Sequence, residues 1–138
     1  MKTTLPILLV EDDKVDQMTV KRGLFHLKMK NELIIRQNGL EALEYLNDES
    51  NPRPGIILLD LNMPKMNGIE FLQEVKKNSA HKLIPVVVMT TSTQDQDRVD
   101  SFQQHASGYM VKPVDYPQFL NTLKTICSYW LTSEIAHY

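Results

Sequence analysis

The sequence predicts an α/β fold in three layers, a parallel sheet with helices on both faces, and three observations carry that expectation. Short apolar runs alternate with stretches of helical spacing along the whole chain, which is how strands and amphipathic helices appear in one sequence. The runs show little polar alternation, as expected of strands covered on both sides. The connections are short, so each strand is expected to return to a doubly wound sheet by a right-handed crossover.

Five strand–helix pairs can be read. Ile7-Leu-Leu-Val10 is the first strand, and Asp13 is placed to cap a helix that turns Val15, Met18, Val20, Leu24 and Leu27 toward the core and fades near Lys28. Leu33-Ile-Ile35 is a second, shorter strand. Gly39 to Leu46 is a helix with Leu40, Leu43 and Leu46 on its apolar side, broken by Asn51-Pro-Arg-Pro54. Gly55-Ile-Ile-Leu-Leu-Asp60 is the third strand, and a helix from about Gly68 to Lys77 carries Ile69, Phe71, Leu72 and Val75. Pro85 to Thr90 is the fourth strand. The mostly polar stretch Gln94 to His105, with Val99 and Phe102, is expected to be the most exposed and least anchored helix. Gly108 to Val111 is the fifth strand, and Asp115 caps a last helix striped with Phe119, Leu120, Leu123, Ile126, Cys127, Trp130 and Leu131.

A length of 138 residues suits one domain, with a core over about 5–131 and a short tail over 132–138. Fifteen Lys and Arg against seventeen Asp and Glu leave a net charge of −2 without a long run of one sign. Direct nucleic-acid contact and membrane insertion are therefore not expected. The single Cys127 excludes an intramolecular disulfide and reads as an apolar filler. No stretch approaches the roughly 18 apolar residues of a spanning helix, and a cytoplasmic location is expected.

In a doubly wound sheet the residues just after each strand share one edge. Glu11-Asp12-Asp13, Asp60, Thr90-Thr91-Ser92 and Lys112 are thus expected to converge. Carboxylates gathered in a partly dry cleft raise each other's pKa or need a cation. An all-oxygen set favours Mg²⁺, Mn²⁺ or Ca²⁺ over zinc, and two or three acids suit Mg²⁺ that keeps several waters. A carboxylate beside such an ion, an ammonium and a hydroxyl has the parts for phosphoryl transfer, with Asp60 becoming an aspartyl phosphate.

Val10-Glu-Asp-Asp13, Leu59-Asp-Leu-Asn-Met-Pro64 with Gly68, Val88-Met-Thr90 and Val111-Lys-Pro113 together resemble the receiver domain of two-component response regulators. The match spans almost the whole chain. The ending Tyr129-Trp-Leu-Thr132 followed by Ser-Glu-Ile-Ala-His-Tyr138 resembles the small single-domain regulators that accompany bacterial phytochrome kinases. The resemblance implies a flavodoxin-like sheet of order 2-1-3-4-5 and a single receiver domain over 1–138 without an output domain. It makes Asp60 the phosphoacceptor. Mg²⁺ would be held by Asp12, Asp60, the backbone carbonyl of Asn62, and Glu11 through a water molecule. Lys112 would pair with the phosphoryl oxygens, and Thr90 would swing to hydrogen-bond them with Tyr109 following inward. Glu11 stands where members often carry Asp, and Thr91 where many carry a smaller residue. The implied partners are a histidine kinase or phosphotransfer protein and a downstream protein. A homodimer through the fourth helix, fifth strand and fifth helix is a further expectation. No cofactor besides the metal is implied.

Other readings stay open on the sequence. Glu11-Asp12-Asp13 alone could be a helix cap, Asp60 a turn former and Lys112 a solvated loop lysine. The protein could be a shuttle that only passes phosphate onward. A phosphatase with an aspartyl nucleophile shares the covalent step, although Asp60-Leu61-Asn62 lacks a second carboxylate two residues on. A nucleotide or flavin binder would need a phosphate-cradling loop after the first strand, where this chain has acids.

Overall fold

Runs rich in branched aliphatic residues, which fit a pleated surface buried on both sides, form the central strands of a five-stranded parallel sheet. The strands are β1 (Ile7–Val10), β2 (Leu33–Arg36), β3 (Ile56–Leu59), β4 (Val86–Thr90) and β5 (Gly108–Val111), in the order β2-β1-β3-β4-β5, with β1, β3 and β4 the central ones. The computed structural model describes residues 5–61, 63, 65–90, 100, 106–111 and 115–132. Three helices, α1 (Lys14–His26), α2 (Gly39–Asn47) and α3 (Gly68–Lys77), and a C-terminal helix (Tyr116–Thr132) complete the described elements. This is the expected flavodoxin-like, doubly wound sheet.

The period of two along β1, β3 and β4 divides their apolar residues between two cores. Leu8, Val10, Ile57, Leu59, Val86 and Val88 pack with Ala42, Tyr45 and Leu46 of α2 and Phe71, Leu72 and Val75 of α3. Ile7, Leu9, Ile56, Leu58, Val87 and Met89 pack with Val20 and Leu24 of α1 and Phe119, Leu123, Cys127 and Leu131 of the C-terminal helix. Because α1 and α3 are the next elements after the parallel strands β1 and β3, their N-termini gather at the carboxyl edge of the sheet. Each start is capped by a side chain that satisfies amides left open in a first helical turn. Asp13 accepts from the Val15 and Asp16 amides, Asn38 from Glu41, and Asp115 from Gln118 at 2.8 Å. Asn67 and Glu70 form a reciprocal capping box at α3. Helix α1 stops where expected. Lys28 turns left-handed at φ 59°, while the Lys28 and Met29 amides donate back to Phe25 and Leu24.

Two helix faces differ from the sequence expectation. Val15 is 72% exposed and Met18 55%, while Gln17, Val20 and Leu24 face inward. Both stripes have helical spacing, so hydrophobicity alone does not choose between them. Gln17 belongs to the buried one because its Nε2 donates to the Glu11 carbonyl at 2.7 Å, satisfying a buried amide. In α2, Leu40 is exposed and Ala42, Tyr45 and Leu46 fill the core. Of the expected helix Gln94 to His105, only Asp100 is described, in helical conformation; the rest lies outside the described residues. Among the described residues no helix is long and apolar enough to cross a membrane.

Cys127 is buried among apolar neighbours, and burial pushes its thiol up to about 12. Raising a thiol's pKa in the fold favours the protonated native state. The resulting stability is complete below the unfolded-state value of about 8.5 and is lost as pH rises toward the folded value. Denaturant midpoints should therefore fall between about pH 9 and 12 in the native protein, and fall less steeply in Cys127→Ala. Phe71→Ala, which empties a site that is 0% exposed, should cost about 3–5 kcal/mol in urea unfolding. Phe25→Ala, at a position 79% exposed, should stay within about 0.5 kcal/mol of the parent.

Candidate functional site

Parallel pairing sets Val10 opposite Leu59, so the residues that follow them, Glu11 and Asp60, emerge side by side at the carboxyl edge of the sheet. The ladder runs one step further, with the Asp60 amide donating to the Val10 carbonyl at 3.0 Å. On the opposite side of β1, the Glu11 amide donates to the Arg36 carbonyl at 2.9 Å. Glu11 and Asp12 are thereby held between the ends of β2 and β3. Carboxylate oxygens of Glu11, Asp12 and Asp60 all lie within 4.8 Å of one another.

Two of these acids are deeply buried, Glu11 at 2% and Asp60 at 8% exposure. Glu11 Oε2 accepts from the Asp13 amide at 3.3 Å, and Asp13 in turn caps α1. Three carboxylates this close repel one another, and desolvation adds to the cost of charging them. Oxygens that each lie roughly 2.0–2.4 Å from one ion are no more than about 4.8 Å apart. The spacing and the hard, all-oxygen donor set therefore fit a small divalent cation, and Asp12, half-exposed at the rim, leaves room for water ligands.

The loop after Asp60 folds back on itself. The Gly68 amide, first in α3, donates to the Leu61 carbonyl at 3.0 Å. A Cβ on Gly68 would lie 2.5 Å from the Asp60 carbonyl oxygen and 2.6 Å from Leu61 Cα. Both neighbours are backbone, so no rotamer change relieves the clash. The glycine allows α3 to start directly behind the acid.

The remaining residues singled out in the sequence are placed less fully. Thr90 ends β4 opposite Val111, and Tyr109 pairs with Val88. Both stand on the two strands next to β3 on the side away from β1. Asn62, Thr91, Ser92 and Lys112 lie outside the described residues. Sequence reasoning missed Gln17 and the Arg36 carbonyl, which hold the Glu11 backbone; a glutamine on an amphipathic helix and a backbone acceptor leave no signal in a sequence.

Residues 7–124 match the family model of the response regulator receiver domain. The chain belongs to that family. It is 42% identical over 129 residues to Response regulator Rcp1 of Synechocystis sp., covering 91% of this chain and 88% of Rcp1. The crystal structure of the Mn²⁺-bound form of Rcp1 resembles this receiver domain with a TM-score of 0.84 and 41% identity, over 92% of this chain and 94% of that one. The phosphorylated cyanobacterial phytochrome response regulator RcpA gives a TM-score of 0.84 at 35% identity, over 94% of this chain and 95% of that one. The small phytochrome-associated regulators expected from the sequence are thus among the relatives of this receiver domain.

Gly68→Ala should lower stability by about 1–3 kcal/mol in urea unfolding through overpacking against the Asp60 backbone. Gly108→Ala serves as the comparison, because among the described residues a Cβ there meets Val87 methyls at the ordinary contact distances of 3.7 and 3.8 Å. It should leave the midpoint unchanged or slightly raised.

Proposed function

We propose that this receiver domain takes a phosphoryl group onto Asp60 from a histidine kinase or phosphotransfer protein, with Mg²⁺ held by Asp12, Asp60, Glu11 through water, and the Asn62 carbonyl. The observation that carries the reading is the meeting of Glu11, Asp12 and Asp60 within 4.8 Å at the sheet edge. The Mn²⁺-bound state of Rcp1 and the phosphorylated state of RcpA support it by similarity.

An Asp60 carboxylate oxygen attacks phosphorus as the bond to the donor's nitrogen breaks, leaving an acyl phosphate on Asp60 and the donor's imidazole free. When bound, the divalent ion offsets the charge of the incoming phosphoryl oxygens and of the acids around them. Lys112 pairs with a phosphoryl oxygen, and the Thr90 hydroxyl donates to another. Deep burial of Asp60 favours this chemistry, because the fixed site needs little reorganisation and limits water access. Water that does reach the phosphorus cleaves the P–O bond and regenerates the carboxylate, so the domain resets itself.

Thr90 and Tyr109 lie on adjacent strands, β4 and β5, leading away from the acids. Movement of Thr90 toward the phosphoryl group, followed by Tyr109, changes the face that a downstream protein or a second copy of the chain reads. A partner that binds one form more tightly converts the phosphoryl group into signal.

Acetyl phosphate with Mg²⁺ should add the mass of one phosphoryl group to the intact protein, and Asp60→Asn should abolish the addition. A full mass shift in Asp60→Asn would remove Asp60 from the role. Mg²⁺ should also raise the melting temperature of the native chain, with a weaker response in Asp12→Asn. Identical metal titrations for the two proteins would take Asp12 out of the site.

A further inference from the structure

The turn between β2 and α2, residues 36–39, touches both acid-bearing loops. The Glu11 amide donates to the Arg36 carbonyl at 2.9 Å, and the Gly39 amide donates to the Met66 carbonyl at 3.2 Å. Met66 lies in the loop between Asp60 and α3. The turn itself is firmly held: Asn38 Oδ1 accepts from the Glu41 amide at 3.0 Å, and Glu41 Oε1 accepts from the Gln37 amide at 3.0 Å.

The contact with Met66 is closer than a side chain at position 39 would allow. A Cβ on Gly39 would stand 2.7 Å from Met66 Cγ, 2.9 Å from its Sδ and 2.9 Å from its Cβ. Rotation about χ1 can carry the Cγ and Sδ away, but Met66 Cβ is tied to the backbone. Only a shift of the loop clears it, and that same backbone carries the carbonyl bonded to Gly39. Lys65, next to Met66, adopts the left-handed region at φ 61°, a conformation that persists where surrounding contacts impose it. At its far end the loop is fastened by Gly68 to Leu61. Conformation does not explain the glycine at 39, because none of the described glycines has positive φ. Alanine in the first turn of α2 would otherwise favour the helix.

We propose that the Gly39–Met66 contact is a positioning device that sets the separation of Asp60 from Glu11 and Asp12, and so the affinity of the site for a divalent cation. Gly39 and Met66 are positioning residues, and the inference rests on the metal-binding reading of the acid cluster. Supports behind the ligands of a metal site commonly change affinity about 10- to 100-fold when lost. Here the support joins the two chain segments whose acids must meet.

The test is Mn²⁺ binding to the full chain, counted by loss of the free-ion electron paramagnetic resonance signal, together with metal-free melting temperatures. Gly39→Ala should weaken binding about tenfold or more. Met66→Gly, which empties the notch and loosens the loop, should weaken it severalfold. The double variant Gly39→Ala/Met66→Gly, in which the new methyl occupies the space left by methionine, should bind more tightly than Gly39→Ala alone, a coupling that independent effects do not produce. Parental affinity in Gly39→Ala, with or without a lower melting temperature, would overturn the inference and leave the glycine a purely structural residue. A double variant weaker than either single would overturn it as well. If Gly39→Ala does not fold, the affinity of Met66→Gly decides alone, and a parental value overturns the inference. Asp12→Asn separates the two readings: Mn²⁺ binding that this substitution leaves unchanged defeats the metal site itself, and the positioning device with it.

Discussion

Everything at the carboxyl edge depends on the parallel register between β1 and β3, in which Val10 faces Leu59. Backbone hydrogen bonds and two apolar cores hold that register, and its consequence is electrostatic. It forces Glu11 and Asp60, with Asp12 beside them, into one cluster, although like charges at this distance resist both burial and one another. Free energy gained from the cores is spent on keeping the carboxylates together. A divalent cation that binds the native state more tightly than the unfolded chain reconciles the two demands and adds to stability.

Backbone hydrogen bonds hold the cluster in the sheet edge. Glu11 is fixed through its amide to Arg36 and its carbonyl to Gln17, while Asp60 is fixed through its amide to Val10. Two glycines serve the same end from opposite directions. Gly68 lets α3 begin against the Asp60 backbone, and Gly39 lets the Met66 loop close against α2. Neither is needed for an unusual dihedral angle; both are needed for room. A site built on strand ends and tight backbone contacts holds its carboxylates in a fixed frame.

The strands were legible because apolar runs such as Ile56 to Leu59 contain the whole signal locally, and the helix starts were legible because Asp13 and Asp115 announce their caps. Helix faces were less legible. Val15 and Met18 on α1 have the spacing of a core stripe, yet the stripe containing Gln17 is buried. The deciding partner, the Glu11 carbonyl, is a backbone atom whose position depends on the strand. Leu40 shows the same limit on α2, where Ala42 and Tyr45 fill the core. In the site, Glu11, Asp12 and Asp60 meet as the strand-end rule anticipates. Thr90 and Tyr109 are placed by strand pairing alone, and Asn62 and Lys112 lie outside the described residues.

By itself, the sequence determined the alternation of strands and helices, the acids at the strand ends and the membership of the receiver family, because hydrophobic period and motif spacing are written along one chain. Only the tertiary structure decided which stripe of α1 faces the sheet, how closely three carboxylates approach, and that Gly39 and Gly68 are small to admit Met66 and the Asp60 backbone. Those outcomes are distances between segments far apart in the chain, set by register and packing together.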